Sequence, residues 1–175
     1  MKILSLIILL FIPVFFKVFE VVNPIDFFST ENVNWEQSDT LATLTLDGPL
    51  YGGKEFKVMH QSSYESGRKS IVIHGSGVKI DSMSLPISDR ELKNFVVNRM
   101  EKTESGFSVS YSCGGGNYLY NSKLHFSFLE EAFYLTEVDK NLYIHDKEEN
   151  RVSEIKVSPP VRFGEVSIID IETGW

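Results

Sequence analysis

The segment "YSCGGGNYLY", residues 111–120, holds the residue types of this chain that most often carry chemistry. Cys113 is a candidate nucleophile, and His125 is the histidine nearest to it along the chain. A cysteine becomes reactive when a helix N-terminus, a cation or a histidine lowers its pKa. No lysine or arginine lies within nine residues of Cys113 on either side. We therefore expect Cys113 to be a small buried residue on the strand face that Val109 and Tyr111 share.

The three glycines after Cys113 raise the question of a phosphate-binding loop. Such a loop lies between a strand and a helix, and the helix N-terminus faces the anion. Here the glycines are followed by "NYLYNSKLHFSF", whose alternating apolar residues predict a strand. The sequence therefore favours a wide or bulged hairpin loop, with Tyr118 and Tyr120 beside it as contact residues for a protein partner.

Other catalytic and metal-binding patterns are missing from the sequence. The four histidines are scattered singly, and there is one cysteine, so neither zinc-ligand spacing nor an internal disulfide is available. The pairs Glu130–Glu131 and Glu148–Glu149 fall in expected turns, where solvated charge is the simplest interpretation. We expect no metal, no cofactor and no enzymatic activity. A hydrolase that uses Cys113 and His125 remains an alternative.

Composition restricts the class of partner. The net charge is −7, and nucleic-acid binding normally requires a basic surface, so we expect no DNA or RNA partner.

An aromatic content of 13% favours strands, because aromatic side chains pack well on a pleated face. Residues 31–175 are long enough to form one β-rich globular domain with its own core.

Residues 1–30 predict an export signal. Lys2 precedes an apolar run from Ile3 to Phe16, and 14 residues are fewer than the roughly 20 that span a bilayer. No small-residue cleavage pattern follows the run, so a cleaved signal peptide and a retained N-terminal anchor both stay open. Either outcome predicts an exported body, in the periplasm or anchored to the membrane by this segment alone.

The sequence of residues 31–175 predicts an α+β fold built mainly from antiparallel sheet. Apolar residues alternate with polar ones in about eight short segments, the pattern of half-buried strands. These segments are 42–46, 55–61, 68–80, 106–112, 123–128, 133–138, 141–157 and 166–172.

One segment predicts an amphipathic helix, from about 89 to 101. Ser88 and Glu91 have the spacing of a capping box, in which each side chain satisfies a backbone N–H of the first turn. The apolar residues that follow recur at helical spacing. They are Leu92, Phe95, Val96 and Met100.

The polar segment "SYESGRKS", residues 63–70, predicts an exposed loop before a strand. Arg68 and Lys69 are adjacent there, and such cations can donate hydrogen bonds to the carboxylates of a partner. The segment resembles the Ser-Gly-x-x-Tyr loop of bacterial periplasmic lysozyme inhibitors. Ser66 and Gly67 match that loop, and Ser70 stands where those inhibitors have tyrosine. The resemblance implies a loop that enters the cleft of a cell-wall hydrolase.

Residues 106–139 are similar in layout to small exported bacterial proteins, including periplasmic immunity proteins of toxin systems. In both, a serine-rich strand, a glycine loop and two aromatic strands follow one another. The combined expectation is an exported module that binds and neutralises a protein, either a toxin or a cell-wall hydrolase. A structural or accessory envelope protein is the other non-enzymatic alternative. The expected contact residues are Ser66, Gly67, Arg68, Lys69, Tyr118 and Tyr120.

Overall fold

The computed structural model describes residues 38–174, which fall within one compact unit. Its elements, in chain order, are strands β1 (Ser38–Leu46), β2 (Phe56–Ser63), β3 (Lys69–Gly75), β4 (Val78–Ser84), β5 (Val96–Lys102), β6 (Gly106–Gly115), β7 (Tyr118–Leu129), β8 (Ala132–Ile144) and β9 (Glu149–Arg162), followed by helix α1 (Ile168–Gly174). The expected signal peptide or anchor at residues 1–30 lies outside the described residues. Within residues 38–174, no helix has the length and apolar character to cross a membrane.

The strands form two antiparallel sheets in which each strand pairs with its neighbour along the chain. Strands β1 to β4 make a four-stranded sheet, and β5 to β9 make a five-stranded sheet. The prediction of a mainly antiparallel α+β fold is confirmed. The arrangement differs in detail, because the described residues form nine strands in two sheets rather than about eight strands in one.

One apolar core receives side chains from both sheets. The rings of Phe56 on β2 and Phe133 on β8 meet edge to face with centroids 5.4 Å apart, and Phe107 stacks on Phe126 at 5.0 Å. Burying an aromatic side chain of this size contributes about 1.5–3 kcal/mol. The face of β6 that was expected to be buried is confirmed as such, since Val109, Tyr111 and Cys113 are all buried, together with Phe107.

The predicted helix at 89–101 is wrong. Residues 85–95 form an irregular segment, which we call the connector, and β5 begins at Val96. Asp89 and Asn94 have positive φ angles of 63° and 50°, which an α-helix does not permit. The Asp89 carboxylate accepts a hydrogen bond from the Asn94 N–H at 3.1 Å, and Glu91 accepts one from the Ile87 N–H at 2.8 Å. Local side-chain hydrogen bonds thus replace the helical ladder.

A β-bulge changes which residues of β5 face the core. The pairing with β6 shifts between Val97 and Arg99, so β5 has one residue more than its partner there. Val97 and Met100, three residues apart, therefore both pack against the core. Val96, which the helical stripe placed inside, is 54% exposed.

The final segment also differs from its prediction. Residues 166–172 were expected to form a strand, but α1 begins at Ile168. Ile168 and Ile171 are both buried, and their spacing of three suits one face of a helix. The Ser167 hydroxyl accepts the Asp170 N–H at 3.3 Å, as an N-cap serine does.

Candidate functional site

Two of the loops singled out in the sequence lie at one end of the fold. We call this region the hairpin end and define it as the β2–β3 loop (64–68) with Lys69, the tip of the β6–β7 hairpin (114–118) and the connector (85–95). The connector contacts both of the other segments, since the Leu85 N–H donates to the Lys69 carbonyl at 3.0 Å and the Lys93 carbonyl accepts the Gly114 N–H.

The β2–β3 loop is held in one conformation by its own hydrogen bonds. The Ser63 N–H donates to the Arg68 carbonyl at 2.9 Å, and the Gly67 N–H donates to the Ser63 carbonyl at 3.0 Å. The Ser66 hydroxyl accepts the Arg68 N–H at 3.2 Å. Gly67 has a φ angle of 64°, a conformation that glycine adopts at little cost. Ser66, Gly67, Arg68 and Lys69 are all exposed.

The β6–β7 hairpin is tight rather than wide. Its ladder continues to the pair Gly115 and Tyr118, which leaves a loop of the two residues Gly116 and Asn117. The two tyrosines differ in their surroundings. Tyr118 is 50% exposed, whereas Tyr120 is half-buried and packs against the core. Of the two, Tyr118 is therefore the tyrosine whose ring is available to a partner.

The connector is bonded to the glycines of this hairpin. The Gly114 N–H donates to the Lys93 carbonyl at 2.6 Å, and the Asn94 side-chain amide donates to the Gly114 carbonyl at 2.8 Å. Gly114 has a φ angle of 110°, and a Cβ atom there would lie 2.4 Å from the Tyr118 carbonyl oxygen. Glycine is therefore required at this position by both conformation and space.

On its other side the connector borders a groove next to the β2–β3 loop. The groove has a volume of about 210 Å³. Two cationic residues contribute to the lining, and most of the remaining lining is apolar. The lining residues that matter here are Arg68, Lys69, Leu85, Ile87, Glu91 and Ile168.

The hairpin end also concentrates cations that lack an ion-pair partner. Elsewhere among the described residues, Lys54, Lys102 and Arg162 pair with carboxylates of other segments. Four cations of the hairpin end form no ion pair with any described residue. They are Arg68, Lys69, Arg90 and Lys93. Arg90 and Lys93 fall in the segment that was predicted to be a helix, so their place in the connector could not be foreseen.

No protein-family model, curated protein or solved structure matches this chain. The candidate site is therefore defined by its own geometry: an internally bonded loop, unpaired cations and a partly apolar groove, all at one end of two packed sheets.

The structure separates Cys113 from His125, which were weighed as a catalytic pair. Tyr120 lies opposite Cys113 in the ladder, and Ser108 lies opposite His125. The two residues are thus on opposite faces of the sheet, roughly 16 Å apart along the strand direction. Burial is the main cause that raises the pKa of Cys113 to about 11, so the thiol is neutral at physiological pH. The expectation that Cys113 is buried is confirmed.

A buried polar cluster that the sequence did not reveal lies next to Cys113. Glu172 on α1 has a side chain only 4% exposed, and it accepts hydrogen bonds from Tyr111 at 2.5 Å and from Ser122 at 2.9 Å. The Lys140 ammonium lies 3.7 Å from the other carboxylate oxygen. Burial, followed by the nearby Glu172 carboxylate, raises the pKa of Tyr111 far above its usual value. This cluster fastens the C-terminal helix to the five-stranded sheet.

The outer face of the five-stranded sheet, turned away from the core, holds a second group of polar residues that the sequence did not bring together. His125 on β7 lies beside Glu137 and Asp139 on β8. Alternation could have assigned each residue to a face. The register between β7 and β8 includes a bulge at Thr136, which no sequence pattern indicates.

Proposed function

We propose that this protein is an exported protein-binding module that neutralises a partner, either a toxin or a cell-wall hydrolase, by covering its active cleft with the hairpin end. The observation that carries the proposal is the β2–β3 loop. It is ordered by its own hydrogen bonds, yet it presents Arg68 and Lys69 without an ion-pair partner among the described residues.

Preorganisation is the physical reason why this loop suits binding. Association costs free energy for every side chain and loop that must be ordered at the interface. A loop that already has its bound shape avoids most of that cost. The Arg68 guanidinium can then donate paired hydrogen bonds to a carboxylate of the partner, and such charge-assisted bonds are stronger than neutral ones.

The groove beside the loop supports the same proposal. Binding energy at protein interfaces is concentrated in a few side chains that fill pockets and lose contact with water. A groove of about 210 Å³ lined by Leu85 and Ile87 can take one apolar side chain of the partner. Tyr118, half exposed on the neighbouring hairpin, adds the amphipathic ring that is enriched at such interfaces.

The test compares three forms of the purified protein as baits in bacterial envelope extract. The wild type is set against Arg68→Ala/Lys69→Ala and against Lys57→Ala/Arg99→Ala. The last variant removes the same charge from exposed positions outside the hairpin end. We expect one protein to be retained by the wild type and the control, and lost from the loop variant.

The retained protein is then purified and its activity is measured against increasing amounts of each bait. Stoichiometric inhibition by the wild type and the control, weakened at least about tenfold by the loop variant, is the expected result. A retained protein whose activity is unchanged by the wild type would contradict neutralisation. Equal retention by all three baits would show that the hairpin end is not the contact surface.

A further inference from the structure

The outer face of the five-stranded sheet brings three side chains of metal-ligand type together. His125 on β7 lies directly opposite Glu137 on β8, and Asp139 lies two residues further along β8 on the same face. One nitrogen or oxygen atom from each of the three lies within 4.8 Å of the others. The His125 Nε2 atom is 2.8 Å from an Asp139 carboxylate oxygen.

This placement suits a metal ion because of sheet geometry. Two alternate residues on one strand and a third residue opposite them direct three side chains to one point above the sheet. Ligand atoms of a tetrahedral ion lie about 2.0–2.2 Å from the metal and therefore roughly 3.4 Å from one another. The present atoms lie within 4.8 Å of one another, so rotations about the side-chain bonds of these three half-buried groups have to bring them closer by about 1 Å.

A second observation at the same place is the Ser108 hydroxyl, a buried polar group left without a partner. Ser108 lies opposite His125 on β6 and is 1% exposed, yet its oxygen makes no hydrogen bond to any described residue. Buried polar atoms are nearly always bonded, so the unbonded Ser108 hydroxyl beside His125 indicates a bound species that it contacts.

One lysine forms an ion pair with a carboxylate of the cluster. The Lys156 ammonium is paired with Glu137, and it also lies 3.1 Å from Glu154. The Lys156 side chain is 69% exposed, so it can remain on Glu154 when an ion takes the oxygen of Glu137. Lys156 therefore weakens binding of an ion without preventing it.

We propose that His125, Glu137 and Asp139 bind a divalent first-row transition-metal ion, with Zn²⁺ as the reference ion. One imidazole nitrogen favours Zn²⁺ or Co²⁺ over Mg²⁺ and Ca²⁺, which prefer sites made entirely of oxygen. Three protein ligands leave one position of a tetrahedral ion for water or for an outside ligand. Ser108 lies opposite His125 on the same face of the sheet, so its hydroxyl can bond to such a water.

The experiment uses the full protein after treatment with a chelator. Zn²⁺ is titrated calorimetrically, and Co²⁺ is titrated by visible absorption, which reports the geometry of the ion. We expect one ion per chain and no saturable binding of Mg²⁺. His125→Ala and Asp139→Asn should each weaken Zn²⁺ binding at least tenfold, whereas His145→Ala, which removes an exposed histidine between β8 and β9, should leave it unchanged.

A gain-of-affinity variant makes the test sharper. Lys156→Met removes the competing cation, so Zn²⁺ should bind about tenfold more tightly, while Lys54→Met, an exposed lysine away from the cluster, should have no effect. Melting temperatures of the metal-free variants show that each remains folded. The proposal is overturned if the folded wild type binds no Zn²⁺ up to 1 mM, or if His125→Ala and Asp139→Asn bind it as the wild type does.

Discussion

The Tyr111 hydroxyl donates a hydrogen bond of 2.5 Å to the carboxylate of Glu172, which lies 61 residues later in the chain. This contact joins the middle of β6 to the C-terminal helix across the edge of the core. Glu172 also faces Ser122 and Lys140, so one carboxylate connects α1 to three strands.

Replacing Glu172 should destabilise the fold strongly. Glu172→Ala leaves the buried Tyr111 hydroxyl and the Lys140 ammonium without their carboxylate, and removing one partner of a buried pair costs about 3–5 kcal/mol. Glu172→Gln keeps an acceptor for Tyr111 and should cost about 1–2 kcal/mol. Equilibrium urea denaturation measures both values. Glu165→Ala, at an exposed position, should change the free energy of unfolding by less than about 0.5 kcal/mol.

The pH dependence of stability should carry a contribution from His60. This residue is 8% exposed on the core side of β2, and burial, followed by the charge of Lys69, lowers the pKa of its imidazole. As the pH falls, this imidazole therefore takes up its proton at a higher pH in the unfolded chain than in the folded protein. Stability from this group is complete above the unfolded pKa of about 6.5 and is lost as the pH falls towards the folded pKa.

The measurement is the free energy of unfolding from pH 7.5 down to pH 5. The decrease should be smaller in His60→Leu than in the wild type, since leucine has no proton to bind. His145→Ala serves as the control because His145 is exposed. Parallel curves for the wild type and His60→Leu would show that His60 does not contribute.

The thiol of Cys113 should react slowly in the native protein. Its pKa of about 11 leaves about 0.1% thiolate at pH 8, and the side chain is 3% exposed. Labelling with a disulfide reagent should be at least about 100-fold slower in buffer than in urea. The variant Ser66→Cys/Cys113→Ala places a thiol on the exposed β2–β3 loop and should react at the rate of a free cysteine. Fast labelling of native wild type would mean that the core opens at β6.

The glycines of residues 114–116 should differ sharply in their tolerance of alanine. At Gly114 a Cβ atom would meet the Tyr118 carbonyl oxygen at 2.4 Å, and the φ angle of 110° disfavours any side chain. We expect Gly114→Ala to cost more than about 2 kcal/mol. Gly116 has a φ angle of 64° and no atom within 4 Å of a Cβ, so Gly116→Ala should cost about 1 kcal/mol. Equal losses in thermal denaturation would contradict this difference.

Tyr118 and Tyr120 should separate binding from stability. Tyr118→Ala removes a half-exposed ring and should leave the melting temperature nearly unchanged while it weakens binding of the proposed partner. Tyr120→Ala removes a ring that packs against the core and should cost about 2 kcal/mol or more of unfolding free energy. A large loss of stability in Tyr118→Ala would show that its ring supports the hairpin instead.

The sequence by itself determined several of the strands and the buried face of β6. Alternation placed Val109 and Tyr111 on the core side of β6, because a period of two is imposed by the pleat of a strand and needs no knowledge of its partners. It also predicted that Cys113 is buried, since it lies on the same face. The polar loop around Ser66 and Gly67 was likewise evident from turn-forming residues alone.

Only the tertiary structure decided how those strands combine. A bulge between Val97 and Arg99 sets which residues of β5 face the core, and pairing with β6 overrides the local capping signal of Ser88 and Glu91. Two hydrogen bonds depend on chain packing and strand register. One joins Glu172 to Tyr111, and the other joins His125 to Asp139. Register is an energy difference between whole strand pairings, and no short stretch of sequence contains it.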